Sequence, residues 1–243
     1  MRLFTEDDMG YFPLIDGEDI VIMARERGEL TDGYRRDVVT LIGDRRSANG
    51  PLSQVQLVMQ NGADGSYALA PVAESGSCGD LFVADFTGSG QEQVWMTLQR
   101  SECVRQYGLY AVMNGQMTLL FQPEEMAARE QWDVRYLEQY RVAVDAPQYG
   151  KTWELDIRSM PQNALADMYR WDGQLQFPAT GSISPEWMIQ PLRTQPGSMW
   201  RLLASRALLG AREKLGYVQM MLAWNGNTFW PETVDVVVNG RER

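Results

Sequence analysis

The absence of histidine limits the chemistry that this chain could perform. None of its 243 residues is a histidine, which excludes the Ser-His-Asp triad, the Cys-His dyad, histidine metal ligands and the commonest general base. What remains is chemistry by carboxylate, tyrosine or arginine side chains, a metal site built from oxygen ligands, or no catalysis at all.

Paired carboxylates are the first of these possibilities. Asp80, Asp133, Glu154 and Asp156 lie near the starts of predicted strands. A glycoside hydrolase needs two acids about 5–9.5 Å apart across a cleft, and spacing in sequence does not give that distance. Charged residues are also usual at exposed strand ends, and the chain has no repeated S-x-D-x-G-x-x-W box of the sialidase type. A carbohydrate-active enzyme with paired carboxylates is therefore the alternative prediction.

The two cysteines, Cys78 and Cys103, are too few for a disulfide scaffold or a zinc site. Without a histidine to lower its pKa, neither is predicted to be catalytic. If 80–86 and 92–98 form an antiparallel hairpin in which the numbers of opposite residues sum to about 180, both cysteines flank its open end. A disulfide there and two unpaired thiols are the two alternatives.

The charge balance bears on the kind of partner. A net charge of −10 argues against binding to nucleic acid or to an anionic membrane. The sequence contains no run of 18 uncharged apolar residues, so we predict no membrane span. The first residues, MRLFTEDDMG, lack the basic and apolar regions of an export signal, so either the protein stays inside the cell or its signal has been removed.

The elements that position these residues follow a repeat. Four Asn-Gly or Asp-Gly dipeptides lie between apolar or aromatic runs; they begin at residues 61, 114, 172 and 225, with spacings of 53, 58 and 53 residues. Such a dipeptide supplies the positive φ angles of a type I′ turn, so each predicts the tip of a β-hairpin. A tip that recurs every ~50 to 60 residues is typical of a propeller, a solenoid or a tandem array.

Strand-like runs fill the intervals in sets of about four, which matches the blade of a β-propeller. The first two sets are 19–24, 37–42, 53–59, 66–71 and 80–86, 93–98, 107–113, 116–121. The third has runs at 132–137, 140–145 and 152–157 and closes at the hairpin YRWDGQLQF, and the fourth covers 186–238. A short helix is predicted within 160–169. Propensity favours a helix for 200–217, but the repeat predicts a strand for at least 200–204.

One turn carries a family resemblance. The sequence DFTGSG at 85–90, between two apolar runs, resembles the turn of the FG-GAP/VCBS repeats that build integrin-α-like β-propellers. GELTDGYRRDVVTLIG resembles a shortened second copy, and LRTQPGSMWRLLA lies where a third would fall. QVQLVMQNG, GKTWELDI and LGYVQMMLAWNGNTF are similar to stretches of VCBS-repeat proteins of Gram-positive bacteria. The resemblance covers most of 18–238 and implies a location in the cell envelope or outside the cell.

The resemblance also implies calcium ligands, because oxygen atoms at alternate positions beside glycines suit that ion. Only one residue of the first implied ligand set is charged, and the second turn is one residue short, so we expect no strong calcium binding and no cofactor. In the alternative interpretation Asp85 and Thr87 bond backbone N–H groups and only shape the turn. The implied ligands are Asp85, Thr87, Ser89, Gln91 and Gln93 in one turn, and Glu29, Thr31, Asp32 and Asp37 in the other.

The eight tryptophans are expected mainly to fill the space between blades. Trp171, beside Asp172-Gly173, and Trp230, before Pro231, are the better candidates for the surface. Aromatic faces there could stack on sugar rings.

The sequence therefore predicts an all-β fold, a small β-propeller of four or five four-stranded blades at 18–243 after a lead-in segment at 1–17. The repeat units are approximately 18–72, 79–122, 131–178 and 186–238. Propellers present loops around a central channel, so we predict a non-catalytic binding or structural module that contacts a protein or glycan partner. The predicted contacts are loop 101–106 and Glu29, Thr31, Asp32, Asp85, Thr87, Ser89, Trp171 and Trp230.

Overall fold

The computed structural model describes residues 19–238 except 46, 48 and 49, so the predicted lead-in segment lies outside the described residues. The fold is all-β, and its sheets are antiparallel. No helix in the described part of the chain is long and apolar enough to cross a membrane. The chain divides into two compact units, and each unit contains two sheets.

The first unit comprises the described residues up to Ala84 together with Ser89–Leu120. Each of its sheets is a meander in which neighbouring strands follow one another in the chain, in the orders β1-β2-β3-β4 and β5-β6-β7-β8. The strands are β1 Ile20–Gly28, β2 Asp37–Asp44, β3 Leu52–Gln60, β4 Tyr67–Gly76, β5 Cys78–Ala84, β6 Gln93–Gln99, β7 Arg105–Met113 and β8 Gln116–Phe121.

The two sheets of the first unit share one core. Alternate residues of a strand face the same side, so Val39 and Leu41 of β2 are buried against Val94, Met96 and Leu98 of β6. The strands β1 and β5, which begin the two sheets, lie close together. The predicted strand positions of the first two sets are confirmed to within a few residues.

The second unit comprises Asp85–Gly88 and the described residues from Phe121 onward. Its sheets have the orders β11-β10-β9 and β12-β14-β15-β16, and β13 also pairs with β14. Two short helices, α1 Pro123–Ala127 and α2 Gln162–Ala166, and a 3₁₀ turn at Pro147–Tyr149 lie between strands. The strands are β9 Asp133–Leu137, β10 Arg141–Ala146, β11 Lys151–Asp156, β12 Ser182–Ile183, β13 Met188–Leu192, β14 Arg201–Leu209, β15 Lys214–Trp224 and β16 Phe229–Val238.

The segment 179–183 connects the two sheets of the second unit. The Gly181 N–H donates to the Val134 carbonyl at 2.9 Å, and the Tyr136 N–H donates to the Ala179 carbonyl at 3.0 Å, so 179–181 runs beside β9. The next two residues form β12 and pair with β14. The core of this unit therefore draws on both sheets, with Val144 and Leu208 fully buried.

The repeat predicted the secondary structure of 200–217 better than helix propensity did. The segment forms β14 and the start of β15, and Leu202, Ala204 and Leu208 of β14 are all fully buried. Pairing with β15 and burial of alternate side chains outweigh the preference of Leu, Ala and Arg for helices. The predicted short helix within 160–169 is also present, as α2.

The four predicted hairpin tips are turns, but only Asn114-Gly115 has both φ angles positive, at 53° and 75°. Near the other three dipeptides the positive φ is found only at Gly65, Gly173 and Gly226. Around Gly173 the predicted fourth strand of the third set is reduced to the single bridge Tyr169↔Leu175. The position beside β9 that such a strand would occupy is filled by 179–181 instead.

Candidate functional site

Asp37 is the central residue of the loops at one end of the first unit. It is the first residue of β2, and its carboxylate is completely buried. The Leu30, Thr31 and Gly62 N–H groups donate to it at 3.1, 2.8 and 2.8 Å, and the Thr31 hydroxyl donates at 3.0 Å. The carboxylate thus joins the β1–β2 loop to the β3–β4 turn, and its lone pairs are engaged by donors of the protein itself.

A second set of contacts joins the β1–β2 loop to residues 91–92. The Glu29 N–H donates to the Glu92 carboxylate at 2.8 Å, and the Glu92 N–H donates back to the Glu29 carbonyl at 2.9 Å. The Gln91 amide donates to the Asp32 carboxylate at 2.8 Å. Tyr34, in the same loop, is fully exposed. The structure therefore brings together Glu29, Thr31 and Asp32, three of the predicted contact residues.

The DFTGSG turn is shaped by its own side chains. The Asp85 carboxylate accepts hydrogen bonds from the Thr87 N–H at 3.2 Å and the Gly88 N–H at 2.7 Å, which is an Asx turn. The Ser89 hydroxyl accepts one from the Gln91 N–H at 3.3 Å. Gly88 and Gly90 have φ angles of 73° and 85°, which favour glycine.

One acidic residue in each of these two turns, Asp37 and Asp85, serves backbone N–H groups. Asp37 and Asp85 both act as acceptors for the loop that surrounds them. Among residues 19–238 with the three gaps noted, no group of three or more Asp, Glu, Cys or His side chains could hold a metal ion. A calcium ion at either turn would have to displace donors that already shape the loop.

Cys78 and Cys103 are both exposed, free thiols. In the β5–β6 hairpin Leu81 pairs with Met96 and Cys78 pairs with Gln99. The numbers of opposite residues therefore sum to 177 rather than about 180, and β6 ends at Gln99. Cys103 lies in the loop beyond Gln99, so it is not opposite Cys78.

Two carboxylates of the alternative enzyme hypothesis line one cleft of the second unit. Glu154 and Asp156 lie on β11 and share a cleft of about 460 Å³ with Gln139, Tyr140, Arg141 and Arg158. Arg141 donates to Glu154 at 2.8 Å, and Arg158 forms an ion pair with Asp156.

The electrostatics of this cleft do not suit a general acid. Hydrogen bonding by Arg158 lowers the pKa of Asp156 to about 2, so the carboxyl group is ionised at neutral pH. A glycoside hydrolase needs one acid whose pKa is raised. The other two candidate acids, Asp80 and Asp133, are exposed, and Asp133 forms an ion pair with Arg135 at 2.7 Å.

Trp171 is 96% exposed at the tip of the turn 170–174. The Gln139 N–H donates to the Gly173 carbonyl at 2.8 Å, and the Tyr140 hydroxyl donates to the Arg170 carbonyl at 3.2 Å, so the β9–β10 turn holds this tip. The indole ring of Trp171 makes no ring contact with another described residue. Its exposure agrees with the prediction from sequence.

Trp230 is 41% exposed and is the end of an aromatic row, which comprises Trp153, Trp132, Tyr149 and Trp230. Neighbouring rings have centroid separations of 6.4, 5.9 and 6.2 Å in that order. The first three rings are half-buried, and Trp132 and Trp153 also pack against the core. The Lys151 ammonium lies 5.7 Å from the Trp153 ring centroid, within the range of a cation–π contact.

A buried ion pair lies beneath the row. The Arg206 guanidinium of β14 donates to the Glu130 carboxylate at 2.6 Å, and the two side chains are only 9% and 2% exposed. The same carboxylate accepts hydrogen bonds from the Tyr149 hydroxyl at 2.7 Å and the Trp132 indole N–H at 3.1 Å. Glu130 therefore fixes two of the four rings directly.

Other groups complete the surroundings of this pair. Arg206 also donates to the Ser184 carbonyl at 2.6 Å, and its guanidinium carbon lies 4.8 Å from the Trp187 ring centroid. Burial and the hydrogen bond to Glu130 both raise the pKa of Tyr149, so its hydroxyl stays a donor at physiological pH. The polar atoms of Trp132 and Tyr149 are thus both engaged by Glu130.

Sequence reasoning identified one end of this site and missed the rest. The place of Trp230 beside a turn indicates the surface, and the prediction that the tryptophans mainly fill the core agrees with the packing of Trp132 and Trp153. Glu130 and Arg206 are 76 residues apart, and neither belongs to a recognisable motif. Glu130 and Trp132 lie two residues apart just before β9. This spacing indicates a site only once the structure shows that the Trp132 indole N–H donates to the Glu130 carboxylate.

Comparison with known proteins gives a likeness without a function. The model of a family described as the YybI C-terminal domain matches residues 130–237, which include the whole aromatic row and the buried ion pair. The uncharacterised protein YybI of Bacillus subtilis (strain 168) is 26% identical over 227 residues, which cover 91% of this chain and 86% of the relative. No solved structure matches significantly.

Proposed function

We propose that this protein is a non-catalytic binding module that holds a protein or glycan partner at its surface. The observation that carries the proposal is the aromatic row of the second unit, which is partly exposed and fixed from below by the buried Glu130–Arg206 pair. Rigid aromatic side chains are typical of contact surfaces, because they bury a large area and lose little conformational freedom on binding.

We also propose that the sheets are degenerate blades of the FG-GAP/VCBS type and that the whole chain is a small propeller. Two observations support this. All four sheets consist of successive stretches of the chain in antiparallel order, and in the first unit the leading strands β1 and β5 lie close together, as the inner strands of neighbouring blades do. A crystal structure with these leading strands around one central channel would test it.

The loops of the first unit are the second proposed contact surface. Asp37 and Glu92 hold the β1–β2 loop in one conformation, so Tyr34 and the nearby Asp32 are presented on a supported loop. Because the acids of these loops already serve backbone donors, we propose that binding requires no cofactor.

The enzyme alternative is disfavoured by one specific feature. Glu154 and Asp156 share a cleft, but each is paired with an arginine, and the pKa of Asp156 is lowered rather than raised. An acid that is ionised at neutral pH cannot protonate a glycosidic oxygen.

Incubation with polysaccharides distinguishes binding from hydrolysis. The full chain is incubated with soluble polysaccharides, and new reducing ends are measured alongside retention on the same polymers. Retention without reducing ends is the expected result. Reducing ends that appear with the wild-type chain and disappear in Glu154→Gln would overturn the proposal, because they would show that the cleft is catalytic.

A further inference from the structure

We infer that the cleft beside β11 and the neighbouring Trp171 together form a binding site for an uncharged polysaccharide. This inference rests on the proposed function, and it names a ligand class for a site apart from the aromatic row. The β9–β10 turn connects the two parts of the site, because Gln139 and Tyr140 line the cleft and also contact the tip that carries Trp171.

Gln139 and Tyr140 hold the tip in place. Their φ angles of 61° and 59° lie in the left-handed region, which glycine adopts easily and which is unfavourable for larger side chains. The Gln139 amide donates to the Asp172 carbonyl at 3.1 Å, and the Tyr140 hydroxyl donates to the Arg170 carbonyl at 3.2 Å. Trp171 lies between these two anchored residues, so it is held next to side chains that line the cleft.

Trp171 supplies the apolar part of the site. Its side chain is 96% exposed and makes no ring contact with another residue of the described part of the chain, so both faces of the indole are accessible. A pyranose ring presents C–H groups on one face, and such a face packs well on a tryptophan ring.

The ion pairs of the cleft supply donors and acceptors together. A guanidinium has five N–H groups, of which Arg141 uses Nε for the Glu138 carbonyl at 3.1 Å and Nη1 for Glu154 Oε1 at 2.8 Å. The other oxygen of that carboxylate, Oε2, accepts no hydrogen bond from a described residue. Two neighbouring sugar hydroxyls can therefore accept from the arginine and donate to the glutamate without separating the pair. A charged peptide side chain would have to compete with the existing ion pairs.

The size and the charge of the cleft narrow the ligand class. Its volume of about 460 Å³ lies within the range of about 300–1,000 Å³ that is usual for small-ligand sites. Two arginines face two carboxylates in its lining, so its own charges balance. The net charge of the chain is −10, and long-range repulsion disfavours a polyanion. The ligand we propose is therefore uncharged.

Native gel electrophoresis of the full chain through soluble polysaccharides tests the inference. The uncharged probes are galactomannan, xyloglucan and laminarin, and hyaluronate is the acidic probe. We expect retardation by at least one uncharged probe and none by hyaluronate. For the retarding probe, Trp171→Ala and Arg158→Ala should each weaken binding by about tenfold, because the first loses the stacking ring and the second loses a charged donor.

Two variants outside the site serve as controls. Phe177→Ala removes another aromatic side chain that is 50% exposed, and Arg212→Ala removes the arginine of an exposed ion pair with Asp167. Both should bind as tightly as the wild type. Trp171→Phe keeps an aromatic face and should retain most of the affinity, which separates stacking from general damage. Unchanged circular dichroism confirms that each variant is folded.

Four results would overturn the inference. They are no retardation by any uncharged probe, equal or stronger retardation by hyaluronate, wild-type affinity in both Trp171→Ala and Arg158→Ala, and a protein partner that depends on Trp171 without any glycan binding. In the last two cases the binding site or the partner class is a different one, and the proposed binding module still stands. New reducing ends from a probe would instead defeat the proposed function, so the two failures are distinguishable.

Discussion

Breaking the buried Glu130–Arg206 pair should lower the free energy of unfolding by more than breaking a surface ion pair does. Glu130→Ala removes the carboxylate that accepts from Arg206, Tyr149 and Trp132. The guanidinium of Arg206 is then left inside the protein, where its side chain is 9% exposed, without its counter-charge. Removing one partner of a buried pair destabilises a protein by about 3–5 kcal/mol.

The chain offers a matched control. Arg201 and Glu232 form an ion pair at 2.7 Å in the same unit, but their side chains are 23% and 49% exposed. Because solvent screens such a pair, Glu232→Ala should lower the free energy of unfolding by no more than about 1 kcal/mol. The comparison keeps the residue types and the distance nearly constant and changes the burial, together with the two further hydrogen bonds that Glu130 accepts.

Urea unfolding followed by tryptophan fluorescence measures both variants. With an m value of about 2 kcal/mol/M, Glu130→Ala should move the midpoint down by about 2 M and Glu232→Ala by at most about 0.5 M. Equal midpoints for the two variants would refute the reasoning, because burial would then have no effect on the strength of the pair.

The double variant Glu130→Leu/Arg206→Met separates the cost of an unpaired buried charge from the cost of disturbed packing. Replacing both charges by apolar side chains of similar size removes the uncompensated charge but still leaves the Tyr149 hydroxyl and the Trp132 N–H without their acceptor. Its stability should therefore lie between that of Glu130→Ala and that of the wild type. If the double variant is instead as unstable as Glu130→Ala, the loss comes from packing around Trp132 and Tyr149 and not from a buried charge.

Three further predictions concern single residues. Asp37→Asn should lower the free energy of unfolding by about 2–4 kcal/mol, because at least one buried backbone donor loses its acceptor. In the wild-type chain, millimolar Ca²⁺ or a chelator should not change the melting temperature. Gly115→Ala should cost about 1–2 kcal/mol in thermal unfolding, because φ there is 75° and an added Cβ meets no atom within 4 Å, whereas Gly33→Ala, without a positive φ, should be neutral. For Asp156, NMR should show a pKa of about 2 that returns toward 3.8 in Arg158→Ala. The pKa of Asp156 is lower in the folded state than in the unfolded state. Its ion pair with Arg158 therefore stabilises the fold fully above about pH 4, and this stabilisation is lost as the pH falls toward 2.

The strands were predictable because their signals are local. Apolar runs of the right length, separated by glycine-containing turns, placed β1 to β11 to within a few residues. The repeat also corrected propensity at 200–204, since a strand there completes a sheet whose neighbours were already predicted. The exposure of Trp171 and Trp230 followed from their places beside turns.

The details of turns and long-range contacts were not predictable in the same way. Three of the four Asn-Gly or Asp-Gly dipeptides do not have two positive φ angles, because the loops that contain them are longer than two residues or pack against other elements. The end of β6 was not visible in the sequence either: the strand stops at Gln99, opposite Cys78, so Cys103 lies in the β6–β7 loop. Glu130, Tyr149 and Arg206 meet only through tertiary folding.

The buried pair also bears on why the rings can act as a binding surface. An ion pair in a protein interior adds little stability over apolar residues of the same size, so stability alone does not account for Glu130 and Arg206. Its distinct effect is on Trp132 and Tyr149, which donate to Glu130 and are therefore held in one orientation before any ligand arrives. Ordering a side chain on binding costs about 0.5–1.5 kcal/mol, and an aromatic ring lies at the low end of that range, so fixing two rings in advance corresponds to about fivefold in affinity. The double variant should accordingly recover part of the stability lost in Glu130→Ala and still bind more weakly, because the rings would remain while their orientation would no longer be set.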